Sequence, residues 1–198
     1  MKGIAQTMHR TVWSFLLCSL LALNAQAATV YDEALRGDLS NDHLHPTAVT
    51  LGVGQNLILG STVHQPSLDR DFFTVTIGAG HALNAIVLSS YTTTDDQSFF
   101  GLARGSDFKT LGFSSLSGWA LIGTLPGLSV GDNLLDFVAD GPIGPGAYSF
   151  WLQETEGTTT YTLDYQVAPV PIPAALPLFL SGLLGIGAMA RKVRYTMR

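Results

Sequence analysis

"TTTYTLDYQV", residues 158–167, decides how the fold is read. Tyr161, Leu163, Tyr165 and Val167 alternate with Thr160, Thr162, Asp164 and Gln166. A period of two, with one apolar and one wet face, is the pattern of a half-buried strand. Just upstream, Ala147 to Gln153 sets Tyr148, Phe150 and Leu152 on one side. Gly157 falls between the two runs, so they are expected to form a hairpin. Further back, Phe72 to Ile77 groups Phe73, Val75 and Ile77 on one face, and Leu83 to Leu88, apolar on both faces, reads as a central strand. Phe99–Ala103, Trp119–Ile122 and Leu134–Val138 are weaker strand runs, and Asn56–Leu59 is expected to start the sheet. There is no heptad pattern, no long repeat and no convincing amphipathic helix. Short strands separated by Gly, Asp, Ser and Pro imply an all-β chain, an antiparallel β-sandwich. The sandwich is expected over residues 51–168, with 28–50 as a loosely packed N-terminal arm and 104–133 as a long Gly- and Ser-rich loop.

The two ends read differently. The chain has 198 residues, 46% hydrophobic and 13% charged. Part of the apolar excess lies at the termini. Lys2 and Arg10 precede a 12-residue apolar run, Val12 to Leu23, and Ala25-Gln26-Ala27 follows. A basic start, a short apolar stretch and an A-x-A site describe a secretory signal peptide, residues 1–27, cut after Ala27. Cys18, the single cysteine, lies inside it, so the mature chain has neither a disulfide nor a thiolate site.

At the other end, residues 169–198 begin with a Pro-rich entry, and Ala174 to Ala190 gives 17 residues without a charge. As a helix they would span about 25 Å, near the lower limit for crossing a bilayer. Arg191, Lys192, Arg194 and Arg198 follow. Positive charge stays on the cytoplasmic side, which puts the strand-rich part outside the inner membrane. A buried core helix, a permanent anchor and a removable sorting signal all satisfy the length; the basic cluster disfavours the first.

Between the ends the charge is strongly negative. Residues 28–170 hold all 15 acidic side chains against Arg36, Arg70, Arg104 and Lys109, a net charge of −11. Such a field repels nucleic acid and favours divalent cations. Asp69 and Asp71, with Asp95 and Asp96, are candidate calcium ligands if their loops meet at one end of the sandwich. Turn chemistry is the competing account, because Asp readily closes turns. His43 and His45 offer half of a metal site with no third ligand at a telling spacing, and His64 and His81 stand alone.

Nucleophilic catalysis finds no support in the pattern: there is no G-x-S-x-G elbow, no phosphate loop and no dinucleotide fingerprint. A carboxylate pair for glycoside hydrolysis stays open, because such a partnership is spatial, although short jelly rolls usually lack the deep cleft it requires. Trp119 and Trp151, with Tyr91, Tyr148 and Phe100, are candidates to stack on sugar rings, and Trp151 is the informative one because it points away from Tyr148, Phe150 and Leu152. It is a carbohydrate-contact candidate if that face is open and core if the other sheet covers it. Aromatic residues in strands are mostly core, so core is the expectation.

Two resemblances follow from these residues. Val170-Pro171-Ile172-Pro173-Ala174-Ala175-Leu176-Pro177, then "LFLSGLLGIGAMA", then Arg191-Lys192, resembles the PEP-CTERM sorting domain. Ile172 stands where the motif has its glutamate. The resemblance implies an exosortase that takes the chain at the inner membrane of a Gram-negative bacterium, cuts near Pro171 to Pro173 and passes it to the cell surface or exopolysaccharide matrix. Asp69-x-Asp71-Phe72-Phe73, Gly78-Ala79-Gly80 and Gly144-Pro145-Gly146-x-Tyr148 make residues 52–167 similar to PPC-like jelly-roll domains. That likeness implies an accessory module without catalytic residues. The expected role is therefore structural or adhesive, beside exopolysaccharide, with a calcium- or carbohydrate-binding module as the alternative.

Overall fold

A computed structural model describes residues 27–123, 127–154, 156–171 and 179. The expected signal peptide up to Gln26 and the segment from Ile172 through the basic cluster, Phe179 apart, lie outside the described residues. Among the described residues no helix is long and apolar enough to cross a membrane.

Nine strands carry the described chain: β1 Ala28–Asp32, β2 Thr47–Val49, β3 Gly54–Val63, β4 Arg70–Ile77, β5 His81–Thr93, β6 Gln97–Arg104, β7 Gly118–Gly123, β8 Gly146–Glu154 and β9 Thr158–Pro169. They form two sheets, ordered β1-β3-β9-β5 and β2-β4-β8-β6-β7. Inward residues of both sheets share one core. Tyr161, Leu163, Tyr165 and Val167 of β9 meet Phe73, Val75 and Ile77 of β4 and Tyr148, Phe150 and Leu152 of β8 in a single buried cluster. Phe150 sits at its centre, 5.4 Å from the Phe73 ring and 5.2 Å from the Tyr165 ring.

The expected hairpin between residues 147–153 and 158–167 does not form. β8 lies in the five-stranded sheet and β9 in the four-stranded one, so the chain crosses between layers around Gly157. Both runs do have an apolar face. Alternation shows which face is buried, but not whether its partner lies beside it or opposite it. At this corner the buried Glu154 carboxylate accepts hydrogen bonds from Ser98 Oγ at 3.0 Å and from Thr159 Oγ1, which fastens β8 and β9 to β6.

A purely antiparallel sandwich is also corrected, because both sheets are mixed. β1 runs parallel to β3 and β2 parallel to β4; β3–β9, β4–β8, β6–β8 and β6–β7 are antiparallel. The cause is the route of the chain. From β1 to β5 it changes sheet at every step, and each crossing reverses its direction. Alternate strands therefore run the same way within one layer.

Three further expectations change. Residues 28–50 are not a loose arm: β1 and β2 each edge one sheet, and Tyr31, Leu39 and Val49 are buried. β5 is an edge strand, not a central one; isolated bridges to Asn133 and Ile143 partly cover it. Leu134–Val138 is not a strand. Leu135–Val138 is a short helix that buries Leu135 and Val138. The first helix, α1, is Glu33–Arg36, and this one is α2.

Phe150→Ala should lower unfolding stability by about 3–5 kcal/mol in urea titration, the usual cost of emptying an aromatic core site. Leu35→Ala, at a side chain 82% exposed, should stay within about 0.5 kcal/mol of the parent.

Candidate functional site

The alternation of β4 places Asp71 on the same face as Phe73, Val75 and Ile77, between the sheets. Asp71 is completely buried. Tyr161 Oη, from β9 of the opposite sheet, donates to its Oδ2 at 2.6 Å. Its Oδ1 has no hydrogen-bond partner. Gly60, directly across from Tyr161 in the β3–β9 register, makes this contact possible. A Cβ on Gly60 would lie 2.3 Å from Tyr161 Oη, so the bare backbone is the space the ring occupies.

Two further carboxylates come from the N-terminal segment. Asp32 caps α1 by accepting from Ala34 N–H at 3.0 Å, and Glu33 follows in the first turn. Glu33 Oε1 accepts from Leu39 N–H at 3.1 Å, and Oε2 accepts from Ser61 N–H at 2.6 Å and Ser61 Oγ at 3.2 Å. These bonds tie α1 to β3. Gly37, at φ 92°, ends the helix, and its carbonyl accepts from Tyr31 Oη at 2.9 Å. Asp38 comes next. One carboxylate oxygen from each of Glu33, Asp38 and Asp71 lies within 4.8 Å of the other two. Exposure is graded across the group: Asp38 is open to solvent, Glu33 is half-buried and Asp71 is closed off.

The electrostatics follow from that burial. Desolvation, then the charge of Glu33, pushes the Asp71 carboxyl up to about 9, while the Tyr161 hydrogen bond opposes the shift. Burial likewise raises Glu33 against its backbone hydrogen bonds from Leu39 and Ser61. Tyr161 is raised well above its ordinary value by burial first and Asp71 second.

Of the four expected calcium ligands, this group contains Asp71 alone. Asp69 is partly buried outside the group, with its N–H bonded to the Val63 carbonyl at 2.7 Å. Asp95 and Asp96 sit in the β5–β6 turn, where Asp96 N–H donates to Asp95 Oδ1 at 2.6 Å. The histidines are dispersed as well. His43 Nδ1 lies 2.6 Å from the Phe108 carbonyl, and His45 pairs with Asp42 at 2.8 Å. Glu33 and Asp38 escaped the sequence reading because they stand in the stretch taken for a loose arm. The Asp32 cap and Gly37 stop were legible signs of a short helix there.

A second candidate surface lies on the outer face of the five-stranded sheet. Trp119, Gly101, Trp151 and Phe72 are register partners across β7, β6, β8 and β4. Gly101 has no side chain, and Phe99 leans into the gap; a Cβ there would meet Phe99 Cε1 at 2.9 Å. Phe99 lies 4.8 Å from the Trp151 ring and 6.2 Å from that of Trp119, and Phe113 lies 5.2 Å from Trp119. The other sheet does not cover Trp151. Phe108 and Leu116, from the segment between β6 and β7, pack with Phe72 and Trp151 in a small second cluster. Trp151 is half-buried and its Nε1 has no partner. The open rings are Trp119, 47% exposed, and Phe113, 67% exposed. Beside Trp119 an open groove of about 520 Å³ runs past Leu128 and Phe137.

The terminal expectations meet the described residues at two places. Ala27 is exposed immediately before β1, and Val170 and Pro171 are exposed immediately after β9. Ala25, Ile172, Pro173, Arg191 and Lys192 lie outside the described residues. No family model matches the chain, and no curated protein matches it.

The raised Asp71 carboxyl fixes a pH dependence. The folded state holds a proton that the unfolded chain releases near pH 4, so the Asp71 contribution to stability is fully present below about 4 and is lost as pH rises toward about 9. In chelator-containing buffer the parent should therefore melt at a lower temperature at pH 8.5 than at pH 5.5. Asp71→Asn, neutral throughout and still able to accept from Tyr161, should flatten much of that slope. Gly60→Ala should destabilise by about 1–3 kcal/mol, because it displaces the Tyr161 ring.

Proposed function

We propose that this chain is an exported, non-catalytic surface or matrix protein of a Gram-negative bacterium, and that its β domain contacts exopolysaccharide through the Trp119–Phe113 face. In this reading residues 1–27 direct export and are removed. Residues 169–198 form a PEP-CTERM-like segment that holds the chain in the inner membrane until an exosortase cuts near Pro171 to Pro173. The β domain is a jelly-roll-like sandwich of the PPC-like kind.

The sorting half rests on the residue pattern of the tail: Pro-x-Pro entry, 17 uncharged residues and a basic finish. The positions of the strands are compatible with both cuts. β1 begins at Ala28, after the expected signal site, and β9 ends at Pro169, before the expected tail site. Both scissions would leave every strand whole.

The binding half is carried by one observation, the open Trp119 and Phe113 rings 5.2 Å apart on a sheet face. A sugar ring presents apolar C–H groups on its face and hydroxyls at its rim. Large rigid aromatic surfaces match the first of these at low entropic cost. Phe99 and Trp151 lie behind the pair and hold it in place. The net charge of −11 over residues 28–170 would repel a polyanion, so a neutral polysaccharide is the better match.

Intact mass on protein recovered from cells with and without the processing enzyme tests the sorting half. Loss of both ends is expected in the first case, and retention of the tail in the second. For the binding half, Trp119→Ala should weaken retention on the host's exopolysaccharide about tenfold, the range of an exposed aromatic anchor, with little change in melting temperature. Unchanged retention would remove the glycan reading.

A further inference from the structure

We propose that Glu33, Asp38 and Asp71 together bind a calcium ion that fastens the N-terminal segment to the strands beneath it. The inference stands apart from the glycan and sorting readings. Two independent observations carry it. The first is the convergence of three carboxylates within 4.8 Å from parts of the chain 33 to 71 residues along. The second is Asp71 Oδ1, an oxygen fully removed from solvent with no partner in the fold. A buried polar atom left unpaired costs free energy, and a cation at this place would satisfy it.

The surroundings favour a hard divalent ion. The ligands are all oxygen, and among the described residues no lysine, arginine or histidine forms an ion pair with any of the three. Tyr161 holds Asp71 Oδ2, which fixes the carboxylate and reserves Oδ1 for a ligand. The bonds from Leu39 and Ser61 hold the Glu33 carboxylate in the same way. Exposed Asp38 leaves a route in from solvent, where water can complete the shell. An irregular set of carboxylates suits calcium, which accepts six to eight oxygens in flexible geometry, better than magnesium, which requires a near-ideal octahedron. The consequence is mechanical. Glu33 and Asp38 belong to the segment that carries β1, and Asp71 belongs to β4 in the other sheet. One ion would therefore cross-link the N-terminal edge of one layer to the second layer.

The test is calorimetric titration of the full-length protein, purified in detergent and stripped with EGTA, using calcium chloride with magnesium chloride as control. Thermal unfolding is followed in parallel. Calcium should bind with a dissociation constant on the order of 0.1–1 mM, the range of extracellular modules, and should raise the melting temperature. Asp38→Asn, at an exposed carboxylate, should fold normally and weaken calcium binding about tenfold or more. Asp71→Asn should do the same, with circular dichroism to confirm the fold, while Asp95→Asn and Asp96→Asn should bind as the parent does. Absence of any calcium response in the stripped parent would overturn the proposal. So would a response that survives both Asp38→Asn and Asp71→Asn, or one that is lost only with Asp95 and Asp96.

Discussion

The hydrogen bond from Tyr161 Oη to Asp71 Oδ2, 2.6 Å long, joins the two sheets at a buried polar point in their largely apolar interface. Its geometry constrains everything near it. The ring of Tyr161 reaches across β3 because Gly60 leaves the space. The side chain of Asp71 is closed off from solvent, and a bare charge in that position would cost several kcal/mol. The fold must therefore keep a proton there or bring a cation, and the N-terminal segment supplies the other groups that decide which. Glu33, anchored through Ser61, is a like charge whose repulsion adds to the effect of burial and raises the Asp71 carboxyl further. A segment that carries few buried side chains of its own thereby becomes part of the sandwich.

The two candidate surfaces share strands. On β4, Asp71 points between the layers and its neighbour Phe72 points out. On β8, Phe150 anchors the main core while Trp151 supports the outer aromatic row. Because the strand period is two, neighbouring residues serve opposite faces. The outer row has its own logic. Gly101 removes one side chain from the middle, Phe99 fills the gap, and the packed rings end in Trp119 and Phe113 at the solvent. The segment expected as a long loop over residues 104–133 supplies Phe108, Phe113 and Leu116 to this face as well as β7.

The strands themselves were largely legible. β9, β8 and β4 contain the period-two runs, and their inward sets are buried, although Phe72, Ser149 and Asp164 of the opposite parity are buried as well. What the runs do not encode is which layer each strand joins. Consecutive strands such as β8 and β9 bury matching faces whether they lie side by side or face to face, so the corner at Gly157 passed for a hairpin. β5 looked central because Val87 and Ala85 are apolar, yet they are half-buried under residues 133–143 at a sheet edge. Asp71 was singled out from its position before Phe72-Phe73, but Glu33 and Asp38 were not. Their partnership with it spans the chain and arises from the crossing of β1 to β4 between layers. Of the two tryptophans expected to be able to stack on sugars, Trp151 stood out by its outward parity, whereas Trp119, on the edge strand two strands away, holds the open ring.

The most direct test of this account is the titration of the Asp71 side chain itself, followed by its carboxyl ¹³C chemical shift in the folded, chelator-treated protein. Burial between the sheets requires the neutral-acid shift to persist through pH 7, with ionisation near pH 9. A carboxyl that ionises near pH 4, like one in open solvent, would mean that Tyr161 and Asp71 do not meet inside the core and that the N-terminal segment does not close over them.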